Sequence, residues 1–305
     1  MWGPLARYTR GMSEFEALTL KAGPLSFSAH AAGAGPIVLL VHGFPDHARS
    51  WRFQLPVLAE AGYRAVAPTL RGYEPSSQPA DGDYHIVRMA EDVVAWIDDL
   101  GGEPVHLVGH DWGAIISYAV AALAPERLRS LTTLAIPHPG RMRTDGLRQL
   151  PSQILNSWYI LFFQLRGVAD WVVEARDWAF IEKLWRDWSP GWELPAEELA
   201  SVKRTLAQPG VKRAALAYYR AVADMRSPAA KRTDRLLGGE IPVRTLALTG
   251  ALDGCMDTRL HDLAISKDDF PAGVEMVRVE DAGHFLHQER PEEVNRLLLD
   301  WLARS

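Results

Sequence analysis

The chain has 305 residues, of which 48% are hydrophobic and 23% are charged. This composition can supply a large buried core, and it excludes disorder, collagen-like repeats and low-complexity sequence. The formal net charge is −5, and no cluster of Lys and Arg is present. Such a chain has no surface potential that would attract phosphates, so we expect no nucleic-acid partner.

Cys255 is the single cysteine, so it cannot form an internal disulfide, and nothing near it has the spacing of a zinc site. We therefore expect a reducing compartment and neither a metal nor a cofactor. The segment Met1–Phe15 lacks the apolar core of a leader peptide, and no stretch approaches the roughly 18 apolar residues of a spanning helix. These features predict a cytoplasmic protein without a membrane anchor.

Short β-branched or apolar segments alternate along the chain with amphipathic ones. The first two, 15–20 and 25–31, predict an antiparallel hairpin with its turn at 21–24. Strands follow in chain order at 36–41, 64–68, 105–108, 130–136, 241–250 and 274–279. Helices are predicted at 86–100, 114–124 and 291–301. Strands that alternate with helices predict an α/β fold with a mostly parallel central sheet flanked by helices.

The composition changes after the breaker cluster Pro137–Gly140. Six of the eleven tryptophans lie between residues 158 and 192, and the apolar spacing is helical to about Leu237. We therefore expect an inserted helical cap. The expected boundaries are 1–139 for the first part of the core, 140–237 for the cap and 238–305 for the second part of the core.

The segment Gly109–Gly113 has the sequence Gly-His-Asp-Trp-Gly between a predicted strand and a predicted helix. It fits the G-x-S-x-G nucleophile elbow, with Asp111 in the serine position. The glycines permit a strained turn that presents the central side chain at the carboxyl edge of the sheet, above a helix N-terminus. The pattern predicts Asp111 as a carboxylate nucleophile. The alternative is that Asp111 only caps the helix.

The segment His42–Pro45 has the sequence His-Gly-Phe-Pro and closes an earlier predicted strand. In a fold with this elbow, such a loop supplies one backbone N–H of the oxyanion hole, and the residue after the nucleophile supplies the other. We therefore expect the N–H groups of Phe44 and Trp112 to form the oxyanion hole. The alternative is an ordinary turn built from Gly and Pro.

Two loops late in the chain supply candidates for an acid and a base. Asp253 follows the second-last predicted strand and His284 follows the last one, which gives the chain order nucleophile, acid, base. Asp257 and Asp281 are alternative acids, but Asp253 comes first after its strand. His287 is the alternative base, and we expect it to be exposed or to lie behind the site.

Taken together, the chain resembles the α/β-hydrolase superfamily, and within it the epoxide hydrolases, along essentially its whole length. Beside the motifs above, the resemblance rests on Arg71-Gly-Tyr73 and on two segments of the cap. Tyr159–Gln164 is similar to the family's Tyr-x-x-x-Phe-Gln helix, and Tyr218–Arg220 is similar to its aromatic-Tyr-Arg motif. The resemblance implies that Tyr159 and Tyr219 are the catalytic tyrosines; the alternative is aromatic packing in the cap.

The resemblance implies hydrolysis of an epoxide to a vicinal diol through an alkyl ester on Asp111. Water activated by His284, with Asp253 behind it, would hydrolyse that ester. Trp112, Phe163 and Phe44 are candidate substrate-binding residues. Because the cap is rich in aromatic residues, we expect a hydrophobic or aryl epoxide.

A haloalkane or haloacid dehalogenase is the main alternative function, because it shares the Asp elbow and the helical cap. Haloalkane dehalogenases characteristically have Asn where this chain has Phe44, and fluoroacetate dehalogenases have Arg where it has Trp112. A non-catalytic ligand receptor on the same fold is a further alternative. Neither alternative accounts for an Asp nucleophile together with two cap tyrosines.

Overall fold

The computed structural model describes residues 15–305. Residues 1–14, which make up most of the segment that bears on a leader peptide, lie outside the described residues. The strands are β1 (Glu16–Ala22), β2 (Leu25–Ala32), β3 (Ile37–Val41), β4 (Arg64–Pro68), β5 (Val105–His110), β6 (Leu128–Leu134), β7 (Thr245–Gly250) and β8 (Val274–Val279).

Fourteen α-helical segments accompany the strands in the described part of the chain, and several of them are single turns. They are α1 (Gln54–Glu60), α2 (Ile86–Asp99), α3 (Trp112–Leu123), α4 (Pro139–Arg141), α5 (Leu147–Gln149), α6 (Gln153–Asn156), α7 (Trp158–Phe162), α8 (Val168–Trp188), α9 (Ala196–Leu206), α10 (Val211–Val222), α11 (Pro228–Leu237), α12 (Arg259–Ala264), α13 (Leu286–Glu289) and α14 (Pro291–Leu302).

The strands form one sheet in the order β1-β2-β4-β3-β5-β6-β7-β8. β1 pairs antiparallel with β2, and β2 pairs antiparallel with β4, whereas every other neighbouring pair is parallel. The predicted fold class, a mostly parallel sheet flanked by helices, is therefore confirmed. β5 lies in the centre of the parallel part, and all of its residues are buried. Strands in such a position have near-continuous apolar sequences because both of their faces are covered.

The bounds of β7 and β6 differ from the sequence prediction for identifiable reasons. β7 begins at Thr245 rather than at residue 241. Pro242 has no N–H to donate to a neighbouring strand, so the ladder cannot include it. β6 spans Leu128–Leu134 rather than 130–136 because Leu128 already pairs with Val105 of β5.

Helices cover both faces of the sheet. α2 and α3 pack on one face, where Trp96 and Ile116 are buried, and the apolar core of that face continues into the helices between β6 and β7. α1 and α14 cover the other face, with Leu55 and Trp301 buried there. Between β6 and β7 every regular element is helical, and α8 is interrupted by a kink at Ala175–Trp178. The expected helical insertion is thus present.

Parallel strands place their carboxyl ends at the same edge of a sheet, and ligands bind at that edge in open α/β sheets. β3, β5, β7 and β8 each lead into a loop or helix that carries one of the motifs found in the sequence. The fold therefore brings segments separated by up to 240 residues to one place. Within residues 15–305, no helix is long and apolar enough to cross a membrane.

Candidate active site

Asp111 lies at the sharp corner where β5 passes directly into α3. Its φ of 51° and ψ of −119° are unusual for a residue other than glycine. The flanking glycines are required for space, since a Cβ on Gly113 would lie 2.1 Å from the carbonyl oxygen of Val41. A Cβ on Gly109 would lie 2.3 Å from the carbonyl oxygen of Gly113. Strain of this kind is found where a functional side chain must be held in one position.

The Asp111 carboxylate makes no capping hydrogen bond to α3, so the alternative in which it only caps the helix is wrong. Instead its Oδ1 accepts the backbone N–H of Phe44 at 2.7 Å. The loop approaches so closely that a Cβ on Gly43 would lie 2.5 Å from Oδ1 of Asp111. Trp112 is the first residue of α3, and N–H groups in the first turn have no partner within the helix. Two backbone donors thus flank Asp111.

His284 lies between two carboxylates. Its Nδ1 is 2.9 Å from Oδ2 of Asp253, and its Nε2 is 3.5 Å from Oδ2 of Asp111. The other oxygen of Asp253 accepts the N–H groups of Cys255 and Met256, each at 2.8 Å. These bonds fix the acid, and the acid orients the imidazole so that Nε2 faces Asp111.

The charge of His284 depends on these two carboxylates. Burial of the ring lowers the pKa of His284, but the attraction of Asp253 and Asp111 outweighs burial and raises that pKa to about 10. While Asp111 is ionised, the imidazolium form is therefore favoured. Loss of the Asp111 charge would remove part of this stabilisation and favour the neutral ring.

The alternative acids and the alternative base lie elsewhere. Asp257 pairs with the side chain of Arg259 at 2.6 Å, and the Asp281 side chain is 80% exposed. His287 is fully buried, with its ring 4.5 Å from those of Trp51 and His110. Of the two expected placements, the structure excludes exposure and agrees with a position behind the site. The helical turn α13 carries it inward. Of the three candidate acids, Asp253 is the one that the structure places against His284.

The two cap tyrosines come from different helices, Tyr159 from α7 and Tyr219 from α10, and both are buried. Their ring centroids are 5.7 Å apart. The ring of Tyr219 lies 5.2 Å from that of Phe44 and 4.9 Å from that of Trp112, the two residues that flank Asp111. The Asp111 charge also acts on both hydroxyls, as their pKa shifts below indicate. The structure thus places both tyrosines close to Asp111.

The remaining residues of the two cap motifs hold these helices together. Gln164 donates its side-chain N–H to the carbonyl oxygen of Tyr219 at 2.9 Å. In the opposite direction, Arg220 donates to the carbonyl oxygen of Phe163 at 3.0 Å, and it also pairs with Asp170 of α8. Each motif therefore supplies one tyrosine and one side chain that fixes the backbone beside the other tyrosine.

The hydroxyls of the three tyrosines Tyr218, Tyr159 and Tyr219 have different surroundings. The hydroxyl of Tyr218 donates to the carbonyl oxygen of Arg71 at 2.5 Å. The hydroxyl of Tyr159 lies 3.3 Å from Sγ of Cys255. The hydroxyl of Tyr219 has no hydrogen-bond partner among the described residues, and the indole of Trp112 packs edge-on against its ring. Of these three hydroxyls, that of Tyr219 is thus the one left available to a ligand.

Burial is the largest influence on the pKa of each of the two candidate catalytic tyrosines. It raises the pKa of Tyr159 and of Tyr219 well above 10, and the negative charge of Asp111 raises both further. Both hydroxyls therefore remain protonated at neutral pH and can act as hydrogen-bond donors. Phe163 and Phe44 are buried beside them with their rings 5.7 Å apart, so the walls near Asp111 are aromatic.

Two residues of the site were not identified from the sequence as site residues. Gln153 is buried; its side-chain N–H donates to the carbonyl of Cys255 at 2.8 Å, and its oxygen accepts the N–H of Asp257 at 2.9 Å. It therefore clamps the loop that carries Asp253. Cys255 contacts Tyr159 through its thiol. The position of Cys255, two residues after Asp253, is the only local signal for either residue.

Two clusters of potential metal ligands occur in the described part of the chain. Asp253, Cys255 and His284 have donor atoms within 4.8 Å of one another, and so do the buried residues Asp46, His110 and His287. Asp253 and His284 already bond to each other and serve the arrangement around Asp111. The sequence spacing around Cys255 does not indicate this cluster, because its members come together only in the fold.

Comparison with known proteins identifies the relatives of this chain. Residues 36–291 match the family described as alpha/beta hydrolase fold. Epoxide hydrolase 3 of Siraitia grosvenorii is 32% identical, with 96% of this chain and all of that protein covered. Epoxide hydrolase A of Mycobacterium tuberculosis is 33% identical over 88% of this chain and 90% of its own length. The crystal structure of an epoxide hydrolase from Vigna radiata superposes with a TM-score of 0.81 at 27% identity, covering 97% of this chain and all of that one.

Proposed function

This chain belongs to the epoxide hydrolases of the α/β-hydrolase family, and we propose that it converts a small-molecule epoxide and water into a vicinal diol. The observation that carries this proposal is the pair of buried tyrosine hydroxyls, Tyr159 and Tyr219, on the cap side of Asp111. An epoxide oxygen that leaves carbon becomes an alkoxide and needs such donors, whereas a halide needs no proton.

In the first step, an oxygen of the Asp111 carboxylate attacks an epoxide carbon. A carbon–oxygen ester bond forms, the ring carbon–oxygen bond breaks, and its electron pair moves to the epoxide oxygen. Tyr159 and Tyr219 donate to that oxygen as its charge develops. Oδ1 of Asp111 is held by the N–H of Phe44, so Oδ2, on the side of His284, is the oxygen free to attack.

In the second step, water attacks the ester carbonyl of Asp111. Esterification has removed the carboxylate charge that raised the pKa of His284, so the imidazolium loses its proton, which neutralises the alkoxide formed in the first step. The neutral imidazole then accepts a proton of the attacking water. Asp253 stabilises the imidazolium. The N–H groups of Phe44 and Trp112 hold the oxyanion, which collapses to release the diol and restore the carboxylate.

An aspartate suits this chemistry better than a serine would. Attack of a serine on an sp³ carbon gives an ether that water cannot readily cleave, whereas attack of a carboxylate gives an ester. Phe44, Phe163 and Trp112 form the walls beside the nucleophile. We therefore propose an epoxide with an apolar or aryl substituent as the substrate.

We also propose that residues 140–237 form the cap, between core segments 1–139 and 238–305. The cap carries both tyrosines and the core carries the other catalytic groups, so substrate binds between them. A cytoplasmic location is proposed from the single buried cysteine, and the absence of a nucleic-acid partner from the net charge of −5.

A single turnover in H₂¹⁸O with enzyme in excess tests the mechanism. The new hydroxyl oxygen of the diol is expected to come from Asp111, which leaves ¹⁸O in the peptide that contains this residue. Label that appears directly in the diol would overturn the covalent mechanism in favour of direct attack by water. Halide release measured beside diol formation distinguishes a dehalogenase, which would release halide and form no diol.

A further inference from the structure

Cys255 touches two of the proposed catalytic groups. It lies in the loop after β7 and is 1% exposed. Its Sγ is 3.3 Å from the hydroxyl oxygen of Tyr159, and its backbone N–H donates to Asp253 at 2.8 Å. The backbone contact depends only on the loop, whereas the contact with Tyr159 depends on the thiol. The thiol of Cys255 therefore contacts the Tyr159 hydroxyl, a contact that could not be predicted from the sequence.

We propose that Cys255 is a positioning residue for ring opening, in which its S–H donates to the Tyr159 oxygen and aims the phenolic hydrogen at the epoxide oxygen. This inference rests on the function proposed above. It makes the two tyrosines unequal: the thiol of Cys255 supports Tyr159, whereas the indole of Trp112 interacts with Tyr219.

The count of hydrogens sets the direction of this hydrogen bond. In the resting protein either Sγ or the Tyr159 oxygen can be the donor. A phenol has a single hydrogen, so once it is donated to the epoxide oxygen, only the thiol hydrogen can lie between Sγ and the phenol oxygen. Burial raises the pKa of Cys255, which keeps the thiol protonated and able to donate. The phenol oxygen gains negative charge as its hydrogen is shared, and the S–H stabilises that charge.

A second observation concerns two buried polar groups beside Asp111 and Tyr159. The hydroxyl of Tyr219 and Nε2 of His284 are buried and have no hydrogen-bond partner of normal geometry among the described residues. The ring of Tyr219 lies 5.7 Å from that of Tyr159, and the ring of Trp188 lies 5.0 Å from those of both Tyr159 and His284. Unpartnered buried polar groups are costly unless a ligand or water satisfies them. The epoxide oxygen and the attacking water are the natural partners of these two groups.

The loop that carries Cys255 is held independently of its thiol. Gln153 bonds the carbonyl of Cys255 at 2.8 Å and the N–H of Asp257 at 2.9 Å, and Asp253 accepts two further N–H groups of the loop. A change of the side chain at position 255 therefore leaves these backbone contacts in place. Substitution of the thiol is therefore expected to leave Asp253 in place, so the effect of the thiol alone can be measured.

The test compares Cys255→Ala with Cys255→Ser in single-turnover experiments on an epoxide that the wild-type enzyme hydrolyses. Alkylation of Asp111 is followed by tryptophan fluorescence and by mass. We expect Cys255→Ala to slow alkylation about 3- to 10-fold, the effect of one neutral hydrogen bond, and to leave ester hydrolysis unchanged. Cys255→Ser keeps a donor and is expected to recover most of the rate. Thermal unfolding shows whether each variant is folded. If Cys255→Ala is misfolded, Cys255→Ser is compared with wild type instead, and its rate is calculated from the concentration of folded enzyme.

The same two substitutions are then made in a Tyr159→Phe background. If the thiol acts through the phenol, Cys255→Ala has no further effect there. An equal loss in both backgrounds, an unchanged alkylation rate, slower ester hydrolysis, or a serine variant as slow as the alanine variant would overturn the proposal. A wild-type enzyme that forms no diol from any epoxide refutes the proposed function instead, so the two failures are distinct.

Discussion

Tyr218 and Tyr219 are consecutive residues of α10, and the structure predicts opposite consequences when each loses its hydroxyl. The hydroxyl of Tyr219 has no partner in the described part of the chain, whereas that of Tyr218 bonds the carbonyl of Arg71. Tyr219→Phe therefore removes a donor that only substrate uses. Tyr218→Phe removes a structural bond and serves as the matched control, because helix, burial and side-chain volume are the same.

The magnitudes follow from the kind of bond that is lost. Removal of one donor to an oxyanion in a water-excluded site costs about 100-fold in rate, which is about 2.7 kcal/mol of transition-state stabilisation. We expect this loss in the alkylation step of Tyr219→Phe, with its free energy of unfolding within about 0.5 kcal/mol of wild type. Tyr218→Phe leaves a buried carbonyl unsatisfied and is expected to lose about 1–2 kcal/mol of stability, with an alkylation rate within roughly 3-fold of wild type.

The assay combines single-turnover alkylation, measured by stopped-flow fluorescence, with urea unfolding of the same preparations. Steady-state diol formation is recorded beside them, because a slow first step must lower it. A Tyr219→Phe variant that alkylates at the wild-type rate would refute the assignment of its hydroxyl as a donor. The assignment would also be refuted if Tyr218→Phe were the slower enzyme, because the hydroxyl of Tyr218 would then be the one that contacts the substrate.

Three further predictions concern the base, the elbow and the charge on the imidazole. His284→Gln should accumulate an adduct with the mass of one intact epoxide on the peptide containing Asp111, with little diol, and mass spectrometry after digestion checks this; an unmodified variant with wild-type turnover contradicts it. Gly113→Ala places a Cβ 2.1 Å from the Val41 carbonyl oxygen, so we expect several kcal/mol of lost stability or insoluble protein, and a normal melting temperature would disprove that packing argument. The folded-state pKa of His284, about 10, exceeds the unfolded value of 6.5, so its stabilising contribution is complete below about pH 6.5 and declines as pH rises toward 10. In Asp253→Asn we expect the pKa of His284 to be lower. The free energy of unfolding, measured at pH 6, 8 and 10, should therefore decline less in this variant than in the wild type. An equal decline in both proteins would contradict the pairing of His284 with Asp253.

Local sequence was sufficient for the bounds of β4 and β8 and for the elbow. Strands β4 and β8 begin and end where the sequence predicts, and the elbow at Asp111 lies between a strand and a helix as predicted. These features depend on side-chain alternation and on glycines that act within a few residues of the chain. Pro242 shows the same locality, since its missing N–H shortens β7 and can be recognised in the sequence.

Contacts between distant segments were decided only by the tertiary structure. Spacing alone left Asp253 and its alternative acids open, and the placement of His284 against Asp253 settled which carboxylate orients the ring. Sequence spacing does not predict the contact of Cys255 with Tyr159, because these residues lie 96 positions apart. It does not predict the inward position of His287 either, because His287 packs against His110, more than 170 positions earlier in the chain. Local patterns determine which side chains lie at the end of a strand or in a loop. The packing of the cap on the core determines which of their polar atoms come into contact. The reason is that a buried donor or acceptor needs a partner, and that partner can come from any segment that the fold places beside it.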